Sequence, residues 1–167
     1  MTLNRIIDIA TMALVWIGGA LILGVMFVTI GDIIARWGFS KGYIGLVDVT
    51  QFAVVGFAYL SLPRVFWTDA NVAIELYDDL LSVRLDALLR LFAGLLALGA
   101  LGILLWYGWT QASRTLRFGD VSQNVEIPMI AFWGLILSGL AASAIVVILR
   151  LVQAVLQLMR GEAQHVD

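Results

Sequence analysis

Several residue types that carry chemistry are scarce in this sequence of 167 residues. It has no cysteine, one histidine, two prolines, and charged residues at only 13% of positions. The absence of cysteine excludes disulfides and thiolate metal sites. The single histidine, His165, lies in the polar C-terminal tail, so no apolar segment offers an imidazole to a haem iron. We therefore expect no catalytic residue, metal, cofactor or nucleic-acid partner.

Apolar residues are correspondingly abundant. They make up 62% of the chain, and the mean hydropathy of +0.98 is typical of a membrane protein. Four apolar segments approach or exceed the length that crosses a hydrocarbon core of about 30 Å. The predicted spans run roughly over 9–31, 47–67, 88–113 and 127–149. The predicted fold is an all-α integral membrane protein, with residues 1–167 in one membrane domain.

The orientation of the chain follows from its basic residues. An even number of spans places both termini on one side of the membrane. Six of the ten Lys and Arg residues fall on that side and four on the other. The positive-inside rule therefore predicts cytoplasmic termini.

The middles of the predicted spans contain no ionisable residue. Pro63 and Pro128 mark the last turn of one span and the start of another. Ion-coupled carriers usually place ionisable groups or broken helices near the bilayer midplane. A small multidrug exporter would need a carboxylate in the first span, and 9–31 contains none. We expect structural support of another protein, not transport by this chain alone.

The segment 69–83, between the second and third spans, has the pattern of an amphipathic helix. Its polar stripe contains Asn71, Glu75, Asp78 and Ser82, and its other side is apolar. Such a helix should lie along the membrane surface. Its acidic face predicts that the carboxylates meet water or a basic partner, because bare lipid favours basic faces. The alternative is an extension of the third span.

Two further features predict contacts with a partner. Small residues repeat every four positions, which lets helices approach closely. These small-residue seams are Ala20 and Gly24, Ala93 and Ala97, and Gly134, Ser138 and Ala142. Trp106 and Trp109 near the end of the third span match an interfacial aromatic belt.

Charged residues at the ends of the first two spans suggest an ion pair. Arg36 and Asp48 are expected at the same membrane surface, where pairing would fix the first two helices together. Asp32 could share Arg36 through the i, i+4 spacing of one helix. Arg64 is expected to snorkel at the other surface, which lets the short second span cross.

These residues, in this order, resemble the small membrane subunit of TRAP (tripartite ATP-independent periplasmic) transporters. The resemblance covers nearly the whole chain. It rests on Asp32, Arg36 and Trp37, Gly45 and Asp48, Pro63 and Arg64, "NVAIEL" at 71–76, and Ser122, Ile127 and Pro128. Two positions depart from the family pattern: Asp48 stands where Glu is common, and Asn71 where His is common.

The resemblance implies a small permease subunit in a bacterial inner membrane. In such systems a periplasmic binding protein delivers an organic acid, a large subunit moves it with sodium, and the small subunit braces the large one. Lipid is the remaining partner. The resemblance also makes Lys41, Arg114 and Arg117 candidates for electrostatic contact with the binding protein. The candidate structural or partner-contact residues are Asp32, Arg36, Asp48, Arg64, Asn71, Glu75, Trp106 and Trp109. The alternative is a non-catalytic anchor of another membrane complex.

Overall fold

The computed structural model describes residues 2–39, 45–68 and 83–160. These residues form four α-helices: α1 (Thr2–Phe39), α2 (Leu46–Trp67), α3 (Val83–Phe118) and α4 (Met129–Arg160). Each helix contains a segment long and apolar enough to cross a membrane, which confirms the predicted class and the four spans. The predicted amphipathic helix over 69–83, with Asn71 and Glu75, lies outside the described residues except for its last position, where α3 begins.

Three of the helices extend well beyond the predicted spans. α1 has 38 residues and α3 has 36, so at about 1.5 Å per residue they are roughly 57 Å and 54 Å long. Charged residues that bounded the predicted first span are accommodated inside α1. Arg36 pairs with Asp32 one turn earlier in the helix, so this end of α1 stays helical beyond the apolar segment.

The helices form a row in the order α1, α2, α4, α3. α2 packs against α1 on one side and against α4 on the other, and α3 packs against α4. The two edge helices are the least covered. Only 6% and 11% of the apolar windows of α1 and α3 are buried, against 28% in α2 and α4. The described part of the chain is therefore close to one helix thick, with broad apolar surfaces.

Close packing of α2, α3 and α4 forms the interior. Leu101 of α3 forms a buried cluster with Leu140 and Val147 of α4, and Tyr59 and Leu62 of α2 pack against this cluster. A second contact between α2 and α4 is the edge-to-face pair of Phe52 and Phe132, whose ring centroids are 5.1 Å apart. Favourable ring geometry of this kind adds to the burial of apolar surface.

One glycine allows the closest approach between α2 and α4. A Cβ atom at Gly139 would overlap the backbone carbonyl of Tyr59. By contrast, Gly24 and Gly134, which belong to predicted small-residue seams, have no neighbour within 4 Å of such an atom. Those two seam glycines therefore face away from the chain's own helices.

Candidate functional site

A buried carboxylate joins the start of α2 to the loop between α3 and α4. Asp48 is only 4% exposed and lies in the first turn of α2, just after Gly45, whose φ of 135° suits glycine. Its Oδ2 accepts hydrogen bonds from Ser122 Oγ at 2.8 Å, the Asn124 N–H at 2.9 Å and the Val125 N–H at 3.0 Å. Its Oδ1 accepts one from Asn124 Nδ2 at 3.2 Å. We call this arrangement the Asp48 cradle.

Hydrogen-bond donors of the cradle compensate the negative charge of Asp48. Two of its donors are backbone N–H groups, and the first turn of a helix also favours a negative charge. Ser122 acts as a relay, because its hydroxyl donates to Asp48 and accepts from the Ile127 N–H at 3.1 Å. The carboxylate therefore supports both ends of a short loop.

Backbone bonds give the loop between α3 and α4 its shape. α3 is followed by Gly119, whose φ is 66° and whose N–H donates to the Thr115 carbonyl. The Ser122 N–H donates to the Ile127 carbonyl at 2.9 Å, and the Met129 N–H donates to the Asp120 carbonyl at 2.9 Å. The loop thus closes on itself like a small hairpin, and Asp48 fixes it to α2.

Arg36 does not bind Asp48, so the expected pair between these residues is wrong. Arg36 Nε lies 2.7 Å from Asp32 Oδ2 within α1, and the Asp48 carboxylate bonds to the loop instead. The expected sharing of Arg36 by Asp32 is confirmed. The Asp32 side chain is 3% exposed and that of Arg36 is 60% exposed, so the pair has one buried and one solvent-facing member.

Arg64 joins α2 to α1 at the other end of these helices, away from the Asp48 cradle. Its Nη1 forms an ion pair with the Asp8 carboxylate, and also donates to the Asp8 carbonyl and to Thr11 Oγ1, both at 3.3 Å. Arg64 follows the buried Pro63 near the end of α2. Sequence reasoning expected Arg64 to snorkel but did not identify Asp8, although both residues end neighbouring spans on the same side.

Two more contacts hold α4 at this end. The guanidinium carbon of Arg150 lies 5.2 Å from the centroid of the Trp67 ring, in the range of a cation–π interaction. Gln153 Nε2 donates to Asn4 Oδ1 at 2.9 Å, which links α4 to α1. Polar side chains therefore hold helices or loops in place at both ends of the helices.

The two tryptophan candidates lie on the exposed surface of α3. Trp106 and Trp109 on α3 are 74% and 68% exposed and point away from the chain's interior.

An apolar groove with a volume of about 390 Å³ lies between α2 and α3, with Leu140 of α4 in its lining. Ala58, Ala97, Ala100, Leu104, Leu140 and Phe66 line much of it. These surfaces are open to lipid or to another membrane protein.

Sequence reasoning missed most of the Asp48 cradle. Ser122 belonged to the resemblance, but nothing in the sequence linked it to Asp48. The other donors are an asparagine side chain and two backbone N–H groups. Hydrogen bonds donated by backbone N–H groups cannot be predicted from the residue types in a single sequence. The polar pair Ser122 and Asn124 just before a span was the one available indication.

Comparison with known proteins agrees with this architecture. Residues 25–157 match the family model described as tripartite ATP-independent periplasmic transporters, DctQ component. No curated protein matches the chain. The family match covers the C-terminal part of α1, all of α2 and α3, most of α4, and both ends of the Asp48 cradle. It also selects a TRAP system over the alternative of an anchor for an unrelated complex. The chain belongs to the DctQ family, the small membrane subunits of TRAP transporters.

Proposed function

We propose that this chain braces the large membrane subunit of a sodium-coupled organic-acid transporter and transports nothing alone. Members of its family work in a tripartite complex with a large membrane subunit and a binding protein. The main support for bracing is the row of helices α1, α2, α4 and α3, which leaves broad apolar surfaces uncovered. A second membrane protein that packs on such a surface gains a wide contact.

The seam glycines support the same role. Gly24 and Gly134 have no neighbour within 4 Å of an added Cβ atom, so the packing of this chain does not require them. Small residues on open helix surfaces permit close approach of a partner helix. We therefore assign the seam of Gly24 on α1 and the seam of Gly134 on α4 to the large subunit.

The location of the charged side chains also supports bracing. In the described helices they lie toward the ends, and Arg64 and Asp48 hold a helix or a loop against α2. A pathway for sodium or an organic anion needs polar groups near the bilayer midplane. We place that pathway in the large subunit.

The Asp48 cradle fits a docking role on the periplasmic side. With the termini in the cytoplasm of a bacterial inner membrane, as the basic residues favour, the loop at 119–128 faces the periplasm. Its shape is fixed by Asp48 and by its own backbone bonds. A pre-organised loop lowers the entropy cost of binding, which suits contact with the binding protein.

Co-purification with the large subunit tests the bracing role. Tagged chain and large subunit are expressed together, and the recovered ratio is measured for the wild type, for Gly24→Leu and for Gly134→Leu. Gly102→Leu is the matched control, since Gly102 also has no neighbour within 4 Å but lies outside the seams. We expect near-equal recovery for the wild type and the control, and reduced recovery for the seam variants.

Transport by reconstituted vesicles tests the second half of the proposal. The small chain alone, the large subunit alone and both together are compared with the binding protein, a sodium gradient and an organic acid. We expect uptake only with both subunits present. Sodium-driven uptake by the small chain alone would contradict the proposal, and so would full activity of the large subunit without it.

A further inference from the structure

The outward side of α3 forms a surface that the chain itself does not cover. Leu101, Ala112 and Thr115 are buried on the side of α3 that packs toward α4. Because an α-helix turns about 100° per residue, Trp106, Ser113 and Arg117 project away from that side, and Trp109 lies at the edge between the two. We call this set, with Ile103, Thr110 and Arg114, the α3 outer stripe.

The stripe changes in character along the helix. Ile103 is 60% exposed, followed by Trp106 at 74% and Trp109 at 68%. Next come Thr110 and Ser113, and then the two arginines. This order, from aliphatic through aromatic to cationic, parallels a phospholipid leaflet read from its acyl chains through the glycerol region to the phosphate.

An open groove lies at the polar end of the stripe. It is lined by Trp109, Thr110, Ser113, Arg114 and Arg117. In the part of the chain that the structure describes, the ion pairs are Arg36 with Asp32 and Arg64 with Asp8, so neither groove arginine is neutralised by a carboxylate. Their i, i+3 spacing places both guanidinium groups on the same side of the helix.

The hydroxyl groups in the groove restrict which chemical group of a ligand can bind there. Thr110 Oγ1 donates to the Trp106 carbonyl at 3.0 Å, and Ser113 Oγ donates to the Trp109 carbonyl at 2.8 Å. With their protons used inside the helix, these oxygens can only accept further hydrogen bonds. The donors that remain for an anion are the two guanidinium groups, which suit phosphate oxygens.

We propose that the α3 outer stripe binds an anionic phospholipid. Its phosphate lies between Arg114 and Arg117, its glycerol region lies beside Trp109, and its acyl chains follow Trp106 and Ile103. An acidic soluble protein would contact only the arginines and would leave the aromatic and aliphatic part of the stripe unused. The observations therefore favour a lipid. This inference does not rest on the proposed function, because it requires only that α3 spans a membrane.

Native mass spectrometry of the full chain in detergent tests the proposal. The protein is mixed with equal amounts of phosphatidylglycerol and phosphatidylcholine, and the ratio of bound lipids is measured. We expect the wild type to retain phosphatidylglycerol preferentially. Arg114→Gln with Arg117→Gln should reduce the preference by about tenfold or more, because each basic residue near the surface attracts anionic lipid. Arg114→Lys with Arg117→Lys should retain part of it.

Arg5→Gln provides the matched control for Arg117→Gln. Each substitution removes one exposed arginine, and neither arginine forms an ion pair within the described residues. We expect only Arg117→Gln to lower the preference, while circular dichroism shows equal helix content in both variants. An equal loss in both would overturn the proposal, since the attraction would then be general. Unchanged lipid ratios with lost capture of the binding protein would overturn it in favour of that soluble partner.

Discussion

Asp48, at the start of α2, accepts a hydrogen bond of 2.8 Å from the hydroxyl of Ser122, which lies 74 residues later in the chain. This bond and its three companions hold the loop between α3 and α4 against α2. These bonds connect α2 to the loop that precedes α4, which is the neighbour of α2 in the row. They therefore couple the position of the loop to the helix that lies between α1 and α4.

Replacing Asp48 should loosen this loop and destabilise the protein. Asp48→Ala leaves the loop donors without their acceptor, so we expect the melting temperature in detergent to fall by about 5 °C or more. Ser122→Ala removes the relay but leaves the bonds from Asn124 and Val125, and its effect should be smaller. Limited proteolysis within 119–128 should become faster in the same order. A melting temperature unchanged by Asp48→Ala would show that the cradle contributes nothing to stability.

The contact between Arg64 and Asp8 can be measured with a double-mutant cycle. The single variants Arg64→Ala and Asp8→Ala and the double variant are compared by unfolding in detergent. Asp8 is 53% exposed, so we expect a coupling energy of only about 0.5–1 kcal/mol. Arg64→Ala should cost more than Asp8→Ala, because Arg64 also donates to Thr11 and to the Asp8 carbonyl. Equal single costs would argue against these additional bonds.

The two glycines Gly139 and Gly134 should respond differently to the same substitution. Gly139→Ala pushes a methyl group toward the Tyr59 carbonyl, and we expect it to destabilise the chain by about 1–3 kcal/mol. Gly134→Ala meets open space, so it should be neutral or stabilise the helix by at most about 1 kcal/mol. Unfolding of the isolated chain in detergent compares them directly. Similar losses in both variants would contradict the close approach of α2 to α4 at Gly139.

Arg36 should have little influence on how α1 packs against α2, because its ion pair lies within α1. The absence of native cysteine allows a cross-linking test. A Cβ atom at Gly18 would lie 3.0 Å from Phe57 Cα, so α1 and α2 touch at this point. A short bifunctional thiol reagent should therefore cross-link the variant Gly18→Cys with Phe57→Cys. We expect the same yield with and without Arg36→Ala. Gly19→Cys with Phe57→Cys is the negative control, since Gly19 has no neighbour within 4 Å.

A lower cross-link yield with Arg36→Ala would restore the hypothesis that this arginine connects the first two helices. That hypothesis had a sound basis, because Arg36 and Asp48 do end neighbouring helices. It was wrong because each residue has a nearer partner. Asp32 is one turn away from Arg36, and the loop donors surround Asp48.

The four membrane helices were predictable because length and hydropathy decide them. Their lateral order was not, since helices surrounded by lipid carry apolar residues on all sides and give no clear indication of which faces meet. The extra turns of α1 at Asp32 and Arg36 were also missed, because a charged residue ends an apolar segment without ending a helix. Of the candidate site residues, Asp48 and Arg64 were named from the sequence, but the partners that they contact required the fold.

The order α1, α2, α4, α3 has a consequence for biosynthesis. The chain emerges from the ribosome with α3 before α4, yet the main contacts of α3 are with α4. When α3 enters the bilayer, its principal partner has not yet been made. The interior of the row and the Asp48 cradle can close only after the last helix has inserted. A chain that stops before Met129 therefore contains three membrane helices but, of the closely packed pairs in the described residues, only α1 with α2.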